Sequence, residues 1–224
     1  MLPWEVCKDG TRFMFFLFSA LRGLGKPGPQ TIVRPERGGR REARSTGNSR
    51  RVVIAYGRGG SAMSGGSYID GKEEVCAWIR ENFPDAVILD VGPGSGTWRD
   101  LLPEYKMDAV EIYAPTAEEI RHKYGTVICA DIADVSYDYD LVIFGDVIEH
   151  MTVEKAQKVL AYARKHSKDF IVAVPWKYKQ GICYGNQWEI HIQDDLTPEI
   201  FAERYPGMEP IWQNERYAYY HDGG

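Results

Sequence analysis

Val87-Ile88-Leu89-Asp90-Val91-Gly92-Pro93-Gly94-Ser95-Gly96 is an apolar run that breaks into three glycines at alternating positions. The apolar part reads as a buried parallel strand over Ala86–Val91, since Asp90 is its one polar residue. Gly92, Gly94 and Gly96 read as the turn that this strand feeds, with a short helical stretch from Trp98. Glycine opens φ values closed to other residues and lets a ligand lie directly against main-chain N–H groups. Such a turn ahead of a helix suits an anionic group. The spacing excludes the dinucleotide fingerprint G-x-G-x-x-G, whose third glycine would fall on Thr97.

Outward from this segment, helix and strand patterns alternate, which predicts a parallel sheet wrapped by helices. Val75, Cys76, Ile79 and Phe83 stand at helical spacing over Lys72–Asn82, and Pro84 ends that helix. Further strands are expected at Asp108–Tyr113, Thr126–Ala130, Asp140–Phe144 and Phe170–Val174. Between them, Thr116 is expected to cap a helix running to Tyr124, and Thr152 to cap the longest helix, Val153–His166. Ala156, Val159, Leu160 and Ala163 give the latter an apolar stripe. A polar and aromatic loop, Trp176–Leu196, then leads to a helix at Pro198–Arg204 and two strand-like runs, Pro210–Gln213 and Tyr217–Tyr220.

At 224 residues the chain has room for one full α/β domain. Its net charge of −5 hides a split: residues 1–60 carry a balance of +8 and residues 61–224 one of −13. An acidic domain is a poor general partner for a nucleic acid backbone. Cys7, Cys76, Cys129 and Cys183 are scattered without metal-ligand spacing, and Cys76 and Cys129 are expected in the core. A reducing cytoplasm is the expected compartment.

The division expected is a basic leader over residues 1–62 and a folded domain over residues 63–224. Phe13–Leu21 is too short to span a bilayer, and Arg22 follows it without a small-x-small cleavage pattern, against a signal peptide. Gly23–Gly60 is rich in Gly, Pro, Ser and Arg, the composition of a disordered segment, and Arg34–Arg51 reads as a solvated charge cluster, with a nucleic-acid-binding arm as the alternative. Met63 could itself begin a complete folded protein.

Counted from Asp90, the turn spells D-x-G-x-G-x-G, and this resembles motif I of the class I S-adenosylmethionine-dependent methyltransferases. The resemblance covers about residues 68–224 and implies a Rossmann-like, seven-stranded, mostly parallel sheet with helices on both faces and a C-terminal antiparallel hairpin. It implies S-adenosylmethionine as the cofactor, held by Asp90, Gly92, Gly94 and Gly96. Glu111, 19 residues after Gly92 at a strand end, would accept the ribose hydroxyls. Asp131 would bond the adenine amino group and Ile132 would pack on the ring face, with Asp134 as the rival acid. Asp146 opens the segment Asp146-Val147-Ile148-Glu149-His150, similar to the family's D/E-x-x-E-H, and would face the amino-acid end of the cofactor. Glu149 and His150 would floor the acceptor pocket, with His150 as general base or as a structural histidine.

The loop after the fifth strand is expected to choose the acceptor, with Trp176, Tyr178, Tyr184 and Trp188 as apolar walls and Asn186, Glu189 and His191 as hydrogen-bonding groups. Asn186, Glu189, His191 and Leu196-Thr197-Pro198-Glu199 resemble the family pattern N-x-x-E-x-H…(S/T)-P-E. The favoured function is methyl transfer to a small-molecule acceptor by a monomer or homodimer, without nucleic acid, membrane or metal. Two alternatives stand beside it. Small-RNA 2′-O-methyltransferases place a metal on an E-x-x-E-H segment plus a later histidine, positions that Asp146, Glu149, His150 and His191 would fill. The other is a cofactor-binding module without catalysis.

Overall fold

The computed structural model describes residues 68–223 and, in backbone only, the two-residue strand β1 (Gln30–Thr31). The leader expected over residues 1–62, including Phe13–Leu21 and Arg34–Arg51, otherwise lies outside the described residues. The domain runs α1 (Lys72–Asn82), β2 (Val87–Val91), α2 (Thr97–Leu101), β3 (Lys106–Glu111), α3 (Ala114–Ile120), β4 (Val127–Cys129), β5 (Val135–Ser136) and β6 (Tyr139–Gly145). It finishes with α4 (Val153–His166), β7 (Ser167–Pro175), α5 (Pro198–Arg204), β8 (Met208–Gln213) and β9 (Tyr217–Asp222).

Seven strands form one sheet in the order β4-β3-β2-β6-β7-β9-β8. β2 pairs in parallel with both β3 and β6, while β9 is antiparallel to β7 and β8. From β2 the chain winds outward to β4, then crosses back to lay β6 on the other side of β2. That reversal opens a crevice at the carboxyl ends of β2 and β6. Strand residues alternate between two cores. Leu89, Val142, Phe144 and Val172 meet Val159, Leu160 and Phe201 on one face. Ile88, Leu141, Ile143 and Ile171 meet Val75, Ile79, Trp98 and Ile120 on the other. Burial on both faces is why these strands are continuously apolar in sequence.

The expected α/β fold and terminal hairpin are present, with local differences. α3 starts at Ala114, capped by Tyr113, because Pro115 in the first turn loses no N–H there and presets the helical φ. Thr116 is therefore buried inside the helix, and Tyr124 lies beyond its end. β3 begins and ends two residues before the expected limits, at Lys106 and Glu111. Cys76 is buried as expected, whereas Cys129 is exposed on the edge strand β4. β5, unanticipated, pairs in parallel with β1. Thr152 and Thr197 cap α4 and α5 through their side chains, accepting from the N–H of Lys155 and of Ile200. No helix among the described residues is long and apolar enough to cross a membrane.

Candidate active site

A cavity of about 880 Å³ lies over the carboxyl ends of the parallel strands, its base formed by the glycine turn. Gly92 and Gly94 line it with φ of 63° and 52°. A Cβ on Gly92 would stand 2.7 Å from Val147 Cγ2, so this position excludes a side chain on two counts. Asp90 and Gly96, expected to hold the cofactor, do not line the cavity. Asp90 is fully buried, and its Oδ2 accepts from the Tyr124 hydroxyl at 2.7 Å. Burial pushes its carboxyl up to about 7, against the hydrogen bond from Tyr124. Gly96, at φ 84°, caps α2 beside the Lys123 side chain. Both residues shape the turn from behind.

Glu111 ends β3 with 7 % exposure and accepts from the Tyr113 N–H at 2.7 Å through Oε1. Burial raises its carboxyl to about 7, and the Tyr113 hydrogen bond opposes that rise. Asp131 caps a short helical turn (Ile132–Asp134), accepting from Ala133 N–H at 3.0 Å, and pairs with Lys155 at 2.5 Å. Asp131 and Ile132 line the cavity and Asp134 does not, which separates the two rival acids. Asp146 follows β6 at a φ of 57°, donates its N–H to Ala173 O at 3.2 Å, and accepts from the Tyr217 hydroxyl at 2.5 Å.

Glu149, His150 and His191 also line the cavity, and their ligand-capable atoms lie within 4.8 Å of one another. Glu149 is fully buried, and neither carboxylate oxygen has a hydrogen-bond partner among the described residues. Burial, then the nearby Asp146, lifts its carboxyl well above the ordinary range. The backbone carbonyl of Glu149 accepts from the N–H groups of Ile192 and Gln193, which ties the acceptor loop to this segment. His150 Nδ1 lies 3.2 Å from Ile190 O, and His191 Nδ1 lies 2.7 Å from Tyr178 O. A carbonyl can only accept, so each neutral ring carries its proton on Nδ1 and leaves Nε2 as an acceptor. The rings are edge-on at 4.7 Å. Burial lowers the titration of both imidazoles, and for His191 the neighbouring His150 adds to it.

The acceptor loop places Tyr178, Asn186, Trp188, Glu189 and His191 on the cavity. Asn186 caps a turn (Gln187–Glu189) by accepting from Trp188 N–H, and its amide donates to Glu189 Oε1 at 3.3 Å. Two of the four expected aromatic walls stand elsewhere. Trp176 packs edge-on to Phe201 and Tyr220, because the chain is still leaving β7 there, and Tyr184 is 67 % exposed. Sequence reasoning missed Lys72 and Tyr217. Lys72 shares the spacing of Val75, Cys76 and Ile79 on the buried stripe of α1, and that phase was a readable sign of its burial.

No protein-family model and no curated protein matches this sequence. Solved structures do share the fold. One is an S-adenosylmethionine-dependent methyltransferase from Clostridium acetobutylicum, at TM-score 0.52 and 13% identity over 66% of this chain and 88% of that one. Another is 1,6-didemethyltoxoflavin-N1-methyltransferase of Burkholderia thailandensis with bound 1,6-didemethyltoxoflavin and S-adenosylhomocysteine, at TM-score 0.51, 16% identity, and 68% and 78% coverage. TehB from Haemophilus influenzae aligns at TM-score 0.50 and 12% identity over 66% of this chain, which spans 60% of the TehB length. The sheet described above is thus a fold that this chain shares with these solved structures.

Proposed function

We propose that this chain is an S-adenosylmethionine-dependent methyltransferase that methylates an oxygen or nitrogen of a small-molecule acceptor. The observation carrying this reading is convergence: Gly92, Gly94, Glu111, Asp131, Ile132 and Asp146, from successive strand ends, reach the same cavity as Glu149, His150 and His191. These residues suit the cofactor. Gly92 and Gly94 offer backbone without a side chain, Glu111 can accept the ribose hydroxyls, and Asp131 with Ile132 can take the adenine edge and face. Asp146 can accept from the ammonium of the amino-acid end. When bound, S-adenosylmethionine supplies a methyl group already activated by its sulfonium, so the chain's task is positioning. His150 then removes the acceptor's proton at Nε2, the nitrogen its Ile190 contact leaves available. The loop aromatics Tyr178 and Trp188 hold the acceptor and exclude water. The −13 balance of residues 61–224 speaks for a small molecule over nucleic acid.

Isothermal titration tests the reading. S-adenosylmethionine and S-adenosylhomocysteine are expected to bind at micromolar level, and NAD not at all. Absence of heat with both sulfur compounds, or tight NAD binding, overturns it.

One observation favours a second reading. Glu149, His150 and His191 gather within 4.8 Å, and each histidine has Nδ1 held by a carbonyl, as metal-ligating histidines commonly do. In that reading the three residues hold a divalent cation that orients the acceptor. Turnover abolished by chelator and restored by Mn²⁺ or Mg²⁺ selects it, whereas turnover that survives chelator retains His150 as the base.

A further inference from the structure

Among the described residues Lys72 is the one buried lysine, at 1 % exposure, and its Nζ has no hydrogen-bond partner there. An ammonium has three protons to donate and is costly to strip of water without a partner. Its immediate surroundings are the ring of Trp98, 4.1 Å from Nζ to the centroid, and that of Tyr219 at 5.5 Å. Ring faces attract a cation but offer it no oxygen. Burial therefore lowers its titration, while Asp146 and Asp90 lie close enough to oppose that shift. Both acids have other engagements: Asp90 Oδ2 holds the Tyr124 hydroxyl and Asp146 Oδ1 holds that of Tyr217.

The position of this charge is fixed by the fold. Lys72 opens α1 directly after Gly71, whose φ of 79° leaves no room for a Cβ against the Trp212 ring. Just upstream, Asp70 pairs with Arg216 at 2.8 Å, and Tyr68 packs on Tyr217 with ring centroids 5.3 Å apart. Trp98, beneath the ammonium, lies so near Gly145 that a Cβ there would stand 2.6 Å from Nε1. Gly145 precedes Asp146, so Lys72 lines the cavity at the end where Asp146 stands. That end thus presents one anion and one cation, the complement of an amino acid.

We propose that Lys72 binds the carboxylate of the cofactor's amino-acid end, so that Lys72 and Asp146 together select a zwitterion. The proposal rests on the cofactor reading above. It makes Lys72 a specificity-determining residue: a ligand with the adenosine and thioether but no carboxylate forfeits the contact.

Three ligands and the full-length chain test it. S-adenosylhomocysteine carries both charges, its decarboxylated analogue keeps only the ammonium, and methylthioadenosine has neither. The unaltered protein is expected to bind S-adenosylhomocysteine about 10- to 100-fold more tightly than the decarboxylated analogue, the scale of a charge-assisted hydrogen bond. In Lys72→Met that preference should collapse to within about threefold, by loss of S-adenosylhomocysteine affinity, with methylthioadenosine binding unchanged. Lys72→Gln repeats the test if the methionine variant fails to fold, and the comparison on the unaltered protein needs no variant. No preference for the carboxylate in the unaltered protein overturns the proposal, as does a variant that weakens all three ligands equally, which marks a structural lysine. Failure of all three ligands to bind the unaltered protein overturns the cofactor reading itself and this proposal with it. Binding of all three with equal affinity overturns this proposal alone.

Discussion

The two walls of the cavity are built by different means. The wall proposed for the cofactor is made of strand ends: Gly92, Glu111, Asp131 and Asp146 each follow or close a strand, and hydrogen bonds to the backbone fix several of them. The acceptor wall is a loop between β7 and α5 that carries Trp188, Ile190 and Ile192 at 45 %, 39 % and 56 % exposure. One wall inherits its geometry from the sheet, whereas the other is held by a few contacts, such as those of Ile192 and Gln193 on the Glu149 carbonyl. Groups on a rigid scaffold can serve a constant ligand, and a loop can be changed for a new one without touching the core. His150 and the loop residue His191 meet on the same side of the cavity, their ring centroids 4.7 Å apart.

If affinity for the cofactor resides in one wall and chemistry in the other, substitutions should separate them. The largest effect is expected from His150→Ala: turnover falls by about 10²–10⁴-fold while the dissociation constant of S-adenosylhomocysteine holds, measured by steady-state rates and titration calorimetry. Loss of cofactor affinity instead would erase the division. Gly94→Val should act on the opposite side. A branched residue at φ 52° is strained and fills the space above the turn, so cofactor affinity falls by about 100-fold or more in calorimetry. Glu111→Ala should weaken cofactor binding by about 1.5–3 kcal/mol with the melting temperature nearly kept. Trp188→Ala should raise the acceptor KM about tenfold and leave cofactor affinity alone, the scale of losing one aromatic wall.

The smallest effect on binding is expected from Asp90→Asn, because Asp90 stands behind the turn. Cofactor affinity should stay within about threefold, the amide oxygen still accepting from Tyr124. Thermal stability is the informative readout here. The folded chain holds the Asp90 proton up to about pH 7, whereas the unfolded chain releases it near its ordinary value of 3.8. The stabilisation from the protonated carboxyl is therefore complete below that value and is lost as pH rises through 7. Asparagine cannot ionise, so the variant's melting temperature should fall less between pH 4 and 8 than that of the unaltered chain. Equal pH profiles would mean that Asp90 is ionised in the fold.

Much of the cofactor wall was legible because its signals are local. A strand end followed by glycines, or an acid closing an apolar run, can be read within ten residues, and the Thr152 cap is equally short-range, whereas the cap expected at Thr116 gave way to Tyr113. Asp90 and Gly96 stand behind the turn and off the cavity lining, a placement that spacing along the sequence does not encode. Lys72 and Tyr217 come from opposite ends of the domain, and only the sheet order brings them together. The acceptor loop was legible in content and not in arrangement: Tyr178 and Trp188 face the cavity, while Trp176 and Tyr184 do not, for reasons set by contacts with β9, α5 and solvent.

The position of β9 has a consequence for how the protein is made. β9 comes last in the chain, yet it lies between β7 and β8. A nascent chain that has emerged only as far as β7 already holds every glycine of the turn and every acid of the cofactor wall. It still lacks the Tyr217 hydroxyl that holds Asp146, and it exposes the apolar edge of Phe170–Val174 as an open template for other strands. The hold on Asp146 and the cover for the β7 edge therefore arrive in the same event, the insertion of β9. A chain stopped short of it would leave Asp146 without the Tyr217 hydroxyl and the edge of β7 uncovered, despite carrying the residues that line the cavity.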